Sequence, residues 1–157
     1  MIKIFEKLFY KSQAEKEYIF FASRGMKPYI FTKYPADCYG YINGVHVCTF
    51  ENMHIEADFL HIEHFALRID QVGKKLGERY LRDFAALVEL QQPHIDCISF
   101  SLYRSSSETK NCQRKLLKLA NARKRLLKTL GARDVEQKKP NNECYNVTGK
   151  WYKNEWK

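Results

Sequence analysis

The sequence predicts an α/β fold: a mixed, twisted sheet with flanking helices, in one domain over residues 1–157. Three observations carry this. Residues 59–102 read as strand, glycine-bearing loop, helix, strand, a βαβ unit that needs parallel strands joined by a crossover. Asn43-Gly44 lies between two β-type runs, Cys38–Ile42 and Val45–Phe50, and supplies the positive φ angles of a tight hairpin. The chain is 45% apolar and 29% charged, which is globular usage and excludes a disordered chain, a collagen-like repeat or a coiled-coil rod.

Residues 2–9 fit a first strand or the front of a helix, and periodicity does not decide between them. Ser12-x-x-Glu15 is a capping box. Ala14, Tyr18, Phe21 and Ala22 follow at helical spacing and Gly25 fits a helix stop, so the spacing predicts a helix over about 12–24. Pro28 then precedes a short β-type run, Tyr29–Thr32. From Phe59 to Ile69 the apolar alternation changes phase: Leu60 and Ile62 share one parity, and Phe65, Leu67 and Ile69 the other. One extra residue near Glu63-His64, a β-bulge, would keep one face apolar. A strand buried on both faces would carry no parity at all.

Leu76, Tyr80, Phe84, Leu87 and Val88 form the apolar stripe of a helix over 78–90, which Pro93 ends. His94 to Leu102 is a strand with Ile98, Phe100 and Leu102 on one face. Leu116, Leu119, Ala120, Leu126, Leu127 and Leu130 mark a long helix over 110–130, stopped by Gly131. Two β candidates follow, 132–137 and 144–152, with a turn at 138–142.

No stretch is apolar enough for a membrane span, and the first residues lack the basic head and apolar run of a secretory signal. The five Cys form no C-x-x-C pair, so reduced thiols in a cytoplasmic protein are expected. Net charge is +9, and it is uneven. Residues 1–78 hold 10 basic and 10 acidic side chains, whereas residues 79–157 hold 17 and 8. The excess points to an anionic partner.

Residues 71–77 are the chief candidate site. A loop that opens a helix offers unpaired N–H groups and the positive end of the helix dipole. Glycines allow an anion close to the backbone, and Lys74 and Lys75 add charge. A plain strand-to-helix turn explains the same glycines. The loop is neither G-x-x-x-x-G-K-[ST] nor G-x-G-x-x-G.

Val72-Gly73-Lys74-Lys75-Leu76-Gly77 resembles the [RQ]-x-x-G-x-[GA] loop of the GNAT superfamily of acyl-CoA N-acyltransferases. Lys75 replaces a glycine and Val72 the usual Arg or Gln. Lys128-Thr129-Leu130-Gly131-Ala132 is similar to that family's K-L-G-F step, and residues 59–132 follow its order of elements. The resemblance implies a GNAT-like fold with acetyl-CoA as co-substrate and acyl transfer to an amine. Amides of Val72, Gly73, Lys74, Lys75, Leu76 and Gly77 would hold the diphosphate. Leu67 and Ile69 would pair with the pantetheine arm in a wedge between strands. Glu63 lies where the family places a glutamate base, and a solvated or salt-bridged carboxylate is its bland alternative. The family's usual acid, a tyrosine, is Leu127 here, leaving Tyr103 or Tyr145 as substitutes or the chain as a binding-only relative. That alternative would use the basic helix 110–128 on nucleic acid. The acceptor is open: a small amine, a protein or an aminoacyl-tRNA. His46, Cys48, His54, His61 and His64 cluster in sequence without paired ligand spacing, so no metal site is expected.

Overall fold

The computed structural model of the chain describes residues 18–21, 36–42, 44–68, 76–105, 113–141 and 144–157. Their strands are β1 (Tyr18–Phe21), β2 (Ala36–Ile42), β3 (Val45–Glu56), β4 (Phe59–Ile62), β5 (His64–Leu67), β6 (Cys97–Ser105), β7 (Arg133–Asn141) and β8 (Cys144–Tyr152). Helix α1 spans Gly77–Gln91 and α2 spans Gln113–Thr129. The sheet order is β1-β2-β3-β4-β6-β8-β7, with β5 paired to β3. β4 and β6 are parallel and every other pairing is antiparallel. The expected mixed sheet and its βαβ unit are both present.

Alternation across the strands sorts the two faces. One row reads Ile55, Leu60, Ile98 and Trp151, all apolar. The next reads His54, His61, Ser99 and Lys150. The first face carries the core. Tyr80, Leu81, Phe84, Ala85, Leu87 and Val88 of α1 are buried over it, as are Leu116, Ala120 and Leu127 of α2. Phe84 stacks on Phe50 with ring centroids 4.1 Å apart. Each buried leucine, valine or phenylalanine among them contributes about 1.5–3 kcal/mol.

The Asn43-Gly44 hairpin forms as expected: Ile42 pairs with Val45 and Gly44 has φ +78°. Gly131 closes α2 in a Schellman arrangement. Its N–H donates to Lys128 O (3.1 Å) and that of Ala132 to Leu127 O (3.0 Å). Gly131 sits at φ +85°, and a Cβ there would lie 2.7 Å from the Glu155 carboxylate. Gly131→Ala is therefore expected to destabilise the chain by about 1–2 kcal/mol. A thermal melt should show a fall of roughly 2–8 °C.

Two expectations are corrected. The helix over 12–24 fails at Tyr18–Phe21, which is a strand paired with Tyr39–Ile42. Four consecutive aromatic and β-branched residues suit a pleated edge better than a helix. The turn at 138–142 is shorter than expected, because β7 runs through Lys138 to Asn141 and pairs there with Cys144. Residues 2–9, 12–17, 22–24 and 29–32, for which elements were also expected, lie outside the described residues.

Candidate active site at a parted pair of strands

β4 pairs with β6 only from Phe59↔Cys97 to Ile62↔Phe100. Beyond that point β5 stays on β3 while β6 runs on to Ser105 against β8. Among the described residues nothing pairs β5 with β6, so a wedge opens between them. Glu63 stands at its apex.

The phase slip read from the sequence is real, but it is not a bulge on one strand. His54 pairs with His61 and Glu51 with His64, so three residues separate these pairs on both strands. Met53 and Phe50 are both buried on β3, and Ile62 and Phe65 on the opposite pair. Both strands therefore spend one extra residue at the same place, and the register is preserved. Asn52 makes this possible with φ +52°, a region asparagine tolerates. Its N–H donates to Asp37 Oδ1 (2.9 Å), and its side-chain amide donates to the exposed Glu63 carboxylate. Glu63 is thus held at the kink by Asn52.

Arg68 N donates to Val47 O (2.9 Å), which fixes the antiparallel alternation. Residues 64 and 66 then bond to β3, and the backbone groups of Phe65 and Leu67 turn toward the wedge. Arg123 of α2 reaches across and donates to Phe65 O (3.2 Å). The backbone groups of Leu67, expected to face a ligand arm, point away from β3.

α1 starts beside this opening. A Cβ on Gly77 would lie 3.2 Å from Leu126 and 3.8 Å from Phe65, so the glycine lets the helix start close against both. Leu76, at the N-cap, contributes no side-chain cap. Glu78 in the first turn is paired with Arg82 (3.1 Å). Leu76 and Gly77 therefore form the start of α1, with Gly77 packed beside Leu126 and Phe65. Ile69, Val72, Gly73, Lys74 and Lys75 lie outside the described residues.

Leu127 is fully buried, and a Cβ on Gly149 would lie 3.1 Å from it. It is a packing residue and has no acid–base part. Tyr145 is half-buried with Lys139 Nζ 5.4 Å from its ring centroid. Cys38, Cys48, Cys97 and Cys144 are buried and form no disulfide with one another. Burial pushes the Cys38 thiol well up, and that of Cys97 up to about 11. Such thiols stay protonated at neutral pH and are poor nucleophiles.

The histidines separate. His46 lies against Tyr39 and Tyr41 and bonds Thr49 Oγ1 (2.8 Å). His54 and His61 come together across the β3–β4 hairpin, while His64 is on β5 beyond the kink.

Asn52 and Arg123 are the residues that sequence reasoning missed. Asn52 between Glu51 and Met53 has no local pattern that marks it, and Arg123 is one of nine cations between Lys110 and Arg133.

No protein-family model matches the chain, and no curated protein sequence is significantly similar to it. Solved structures do superpose. The acetyltransferase AAC(6')-Ib bound to paromomycin and acetyl-CoA aligns with TM-score 0.52 at 14% identity, covering 79% of this chain and 68% of that one. Its complex with ribostamycin and coenzyme A gives 0.52 at 14%, covering 79% and 67%. An uncharacterized Bacillus halodurans protein gives 0.49 at 15%, over 80% of this chain, which spans 64% of that protein's length. Strand order, the parted pair and the two AAC(6')-Ib superpositions agree: the chain has the fold of the GNAT acyl-CoA N-acyltransferases.

Proposed function

We propose that the chain is an acyl-CoA-dependent N-acyltransferase that moves an acetyl group from acetyl-CoA to an amine by direct attack. One observation carries this reading: the sheet parts after Ile62 and Phe100, and the start of α1, where the Leu76 side chain gives no cap, stands beside the parted strand at Phe65. The residues suit an extended thioester with a charged end. Backbone groups of Leu67 and Ile69 would hold the amide-bearing arm. The amides of Val72 to Gly77, with Lys74 and Lys75, would hold the diphosphate. Bound acetyl-CoA supplies the activated acyl group. Glu63 accepts the proton that the attacking amine sheds, directly or through water. Arg123 fixes the carbonyl of Phe65 and so the course of β5 along the wedge.

Aminoglycosides are the acceptors to try first, because AAC(6')-Ib, which shares this fold, is complexed with paromomycin and with ribostamycin. Acetyl-CoA at a hundred times its dissociation constant should stabilise the chain by about 2.7 kcal/mol. Gly73→Asp should remove that thermal shift by bulk and repulsion. No shift at millimolar acetyl-CoA would overturn the reading.

The burial of Leu127 favours one second reading, a binding module that kept the fold and lost the chemistry. Its surface would be Arg114, Lys115, Lys118, Arg125 and Lys128, all exposed on α2. Nucleic-acid binding that weakens steeply with salt, without acetyl transfer, would select it.

A further inference from the structure

β3 and β4 join through Ala57-Asp58, with Glu56 paired to Phe59 and Ala57 at φ +54°. This tight hairpin sets His54 directly opposite His61. Side chains two apart share a face, so Glu56 projects on the same side as His54. The imidazole rings are stacked, with centroids 4.9 Å apart and planes 27° apart. One ligand atom from each of His54, Glu56 and His61 lies within 4.8 Å of the others.

We propose that His54, Glu56 and His61 form a binding site for a divalent transition-metal ion of the zinc class. Cross-strand pairing supplies here the ligand grouping that spacing along the chain does not show. His61 Nε2 and Glu56 Oε2 are 3.7 Å apart. That is too long for a hydrogen bond. It is close to the roughly 3.3 Å that separates two ligands held about 2.0 Å from one tetrahedral ion. A small side-chain adjustment brings the three donors onto a common centre.

The donor set agrees. Two imidazoles and one carboxylate prefer zinc, nickel or copper to magnesium or calcium. Three protein ligands leave one tetrahedral position for water or another group. The next residue along the row is Ser99, which lines a groove of about 290 Å³ with Ser101, Thr148, Lys150, Asp134 and Glu136. The site lies on the face opposite the helices and is independent of the acyl-transfer reading.

Calorimetry on the tag-free, metal-free full chain tests this with Zn²⁺ and, for contrast, Mg²⁺. One Zn²⁺ site in the micromolar range or tighter is expected, with no Mg²⁺ binding at millimolar levels. His54→Ala and His61→Ala should each weaken Zn²⁺ by at least about tenfold. Glu56→Gln should weaken it too, and its 78% exposed side chain makes that variant safe for the fold. Cobalt absorption should lack the thiolate charge-transfer band, since the described cysteines are buried. Absence of Zn²⁺ binding, unchanged affinity in Glu56→Gln and a folded His variant, or a thiolate–cobalt band would each overturn the site.

Discussion

Replacing Glu63 by Gln is expected to lower kcat for acetyl transfer by roughly 10²–10⁴-fold while leaving the acetyl-CoA thermal shift intact. Glutamine keeps the size of the side chain and can still bond to Asn52, so the kink survives. What it loses is the ability to take a proton. The readout is release of the CoA thiol with the best acceptor from a panel of aminoglycosides, polyamines and short peptides. An unchanged kcat would make Glu63 only an anchor for the kink. Asn52→Gly separates the two roles further. It tolerates the φ of +52° but removes the amide that holds the carboxylate. Asn52 is a positioning residue, so its loss should lower kcat less than Glu63→Gln and leave KM for acetyl-CoA unchanged. A loss in KM alone would place Asn52 in binding.

Much of this site was legible in the sequence because strand parity is a strong signal. The change of phase between Ile62 and Phe65 marks the place where the strand must turn its apolar side back to the core. The glycine-opened helix and its stripe Tyr80, Phe84, Leu87 and Val88 follow the same logic at a period of 3.6. What parity along one strand cannot show is how the partner compensates. On β3 only Met53 and Ile55 are apolar between Glu51 and Glu56, too short a pattern to read as a strand, and the three-residue step from Phe50 to Met53 that marks the slip at Asn52 becomes legible only once its partner strand is known. Tyr18–Phe21 misled for the opposite reason: four consecutive apolar residues fit any period. The Arg123 bond to Phe65 spans 58 residues and the Asn52 bond to Glu63 spans 11, and neither has a local pattern. The His54–His61 pair needed a hairpin at Ala57-Asp58, which has none of the usual glycine or asparagine turn chemistry.

The largest effect on stability is expected at Trp151. α2 ends with carbonyls that have no partner within the helix. Trp151 Nε1 donates to one of them, Leu130 O (2.9 Å), and also to Glu155 O (3.2 Å). The indole is fully buried between Phe100 and Trp156, with the Arg82 guanidinium 5.9 Å from its centroid. It therefore locks α2, β6, β8 and the C-terminal 3₁₀ turn (Lys153–Glu155) together. Trp151→Ala should cost about 3–5 kcal/mol. That is a large share of the roughly 5–15 kcal/mol that holds a typical domain together. Trp151→Phe keeps most of the apolar area and drops the donor. Arg82 Nη1 still serves Glu155 O (2.9 Å), so the unmet group is Leu130 O. Its loss should be smaller, about 1–3 kcal/mol. Urea unfolding followed by circular dichroism measures both, without relying on the indole that is removed. If Trp151→Phe were as stable as the parent, the indole N–H would not be what closes α2, and the Schellman turn at Gly131 would do so alone.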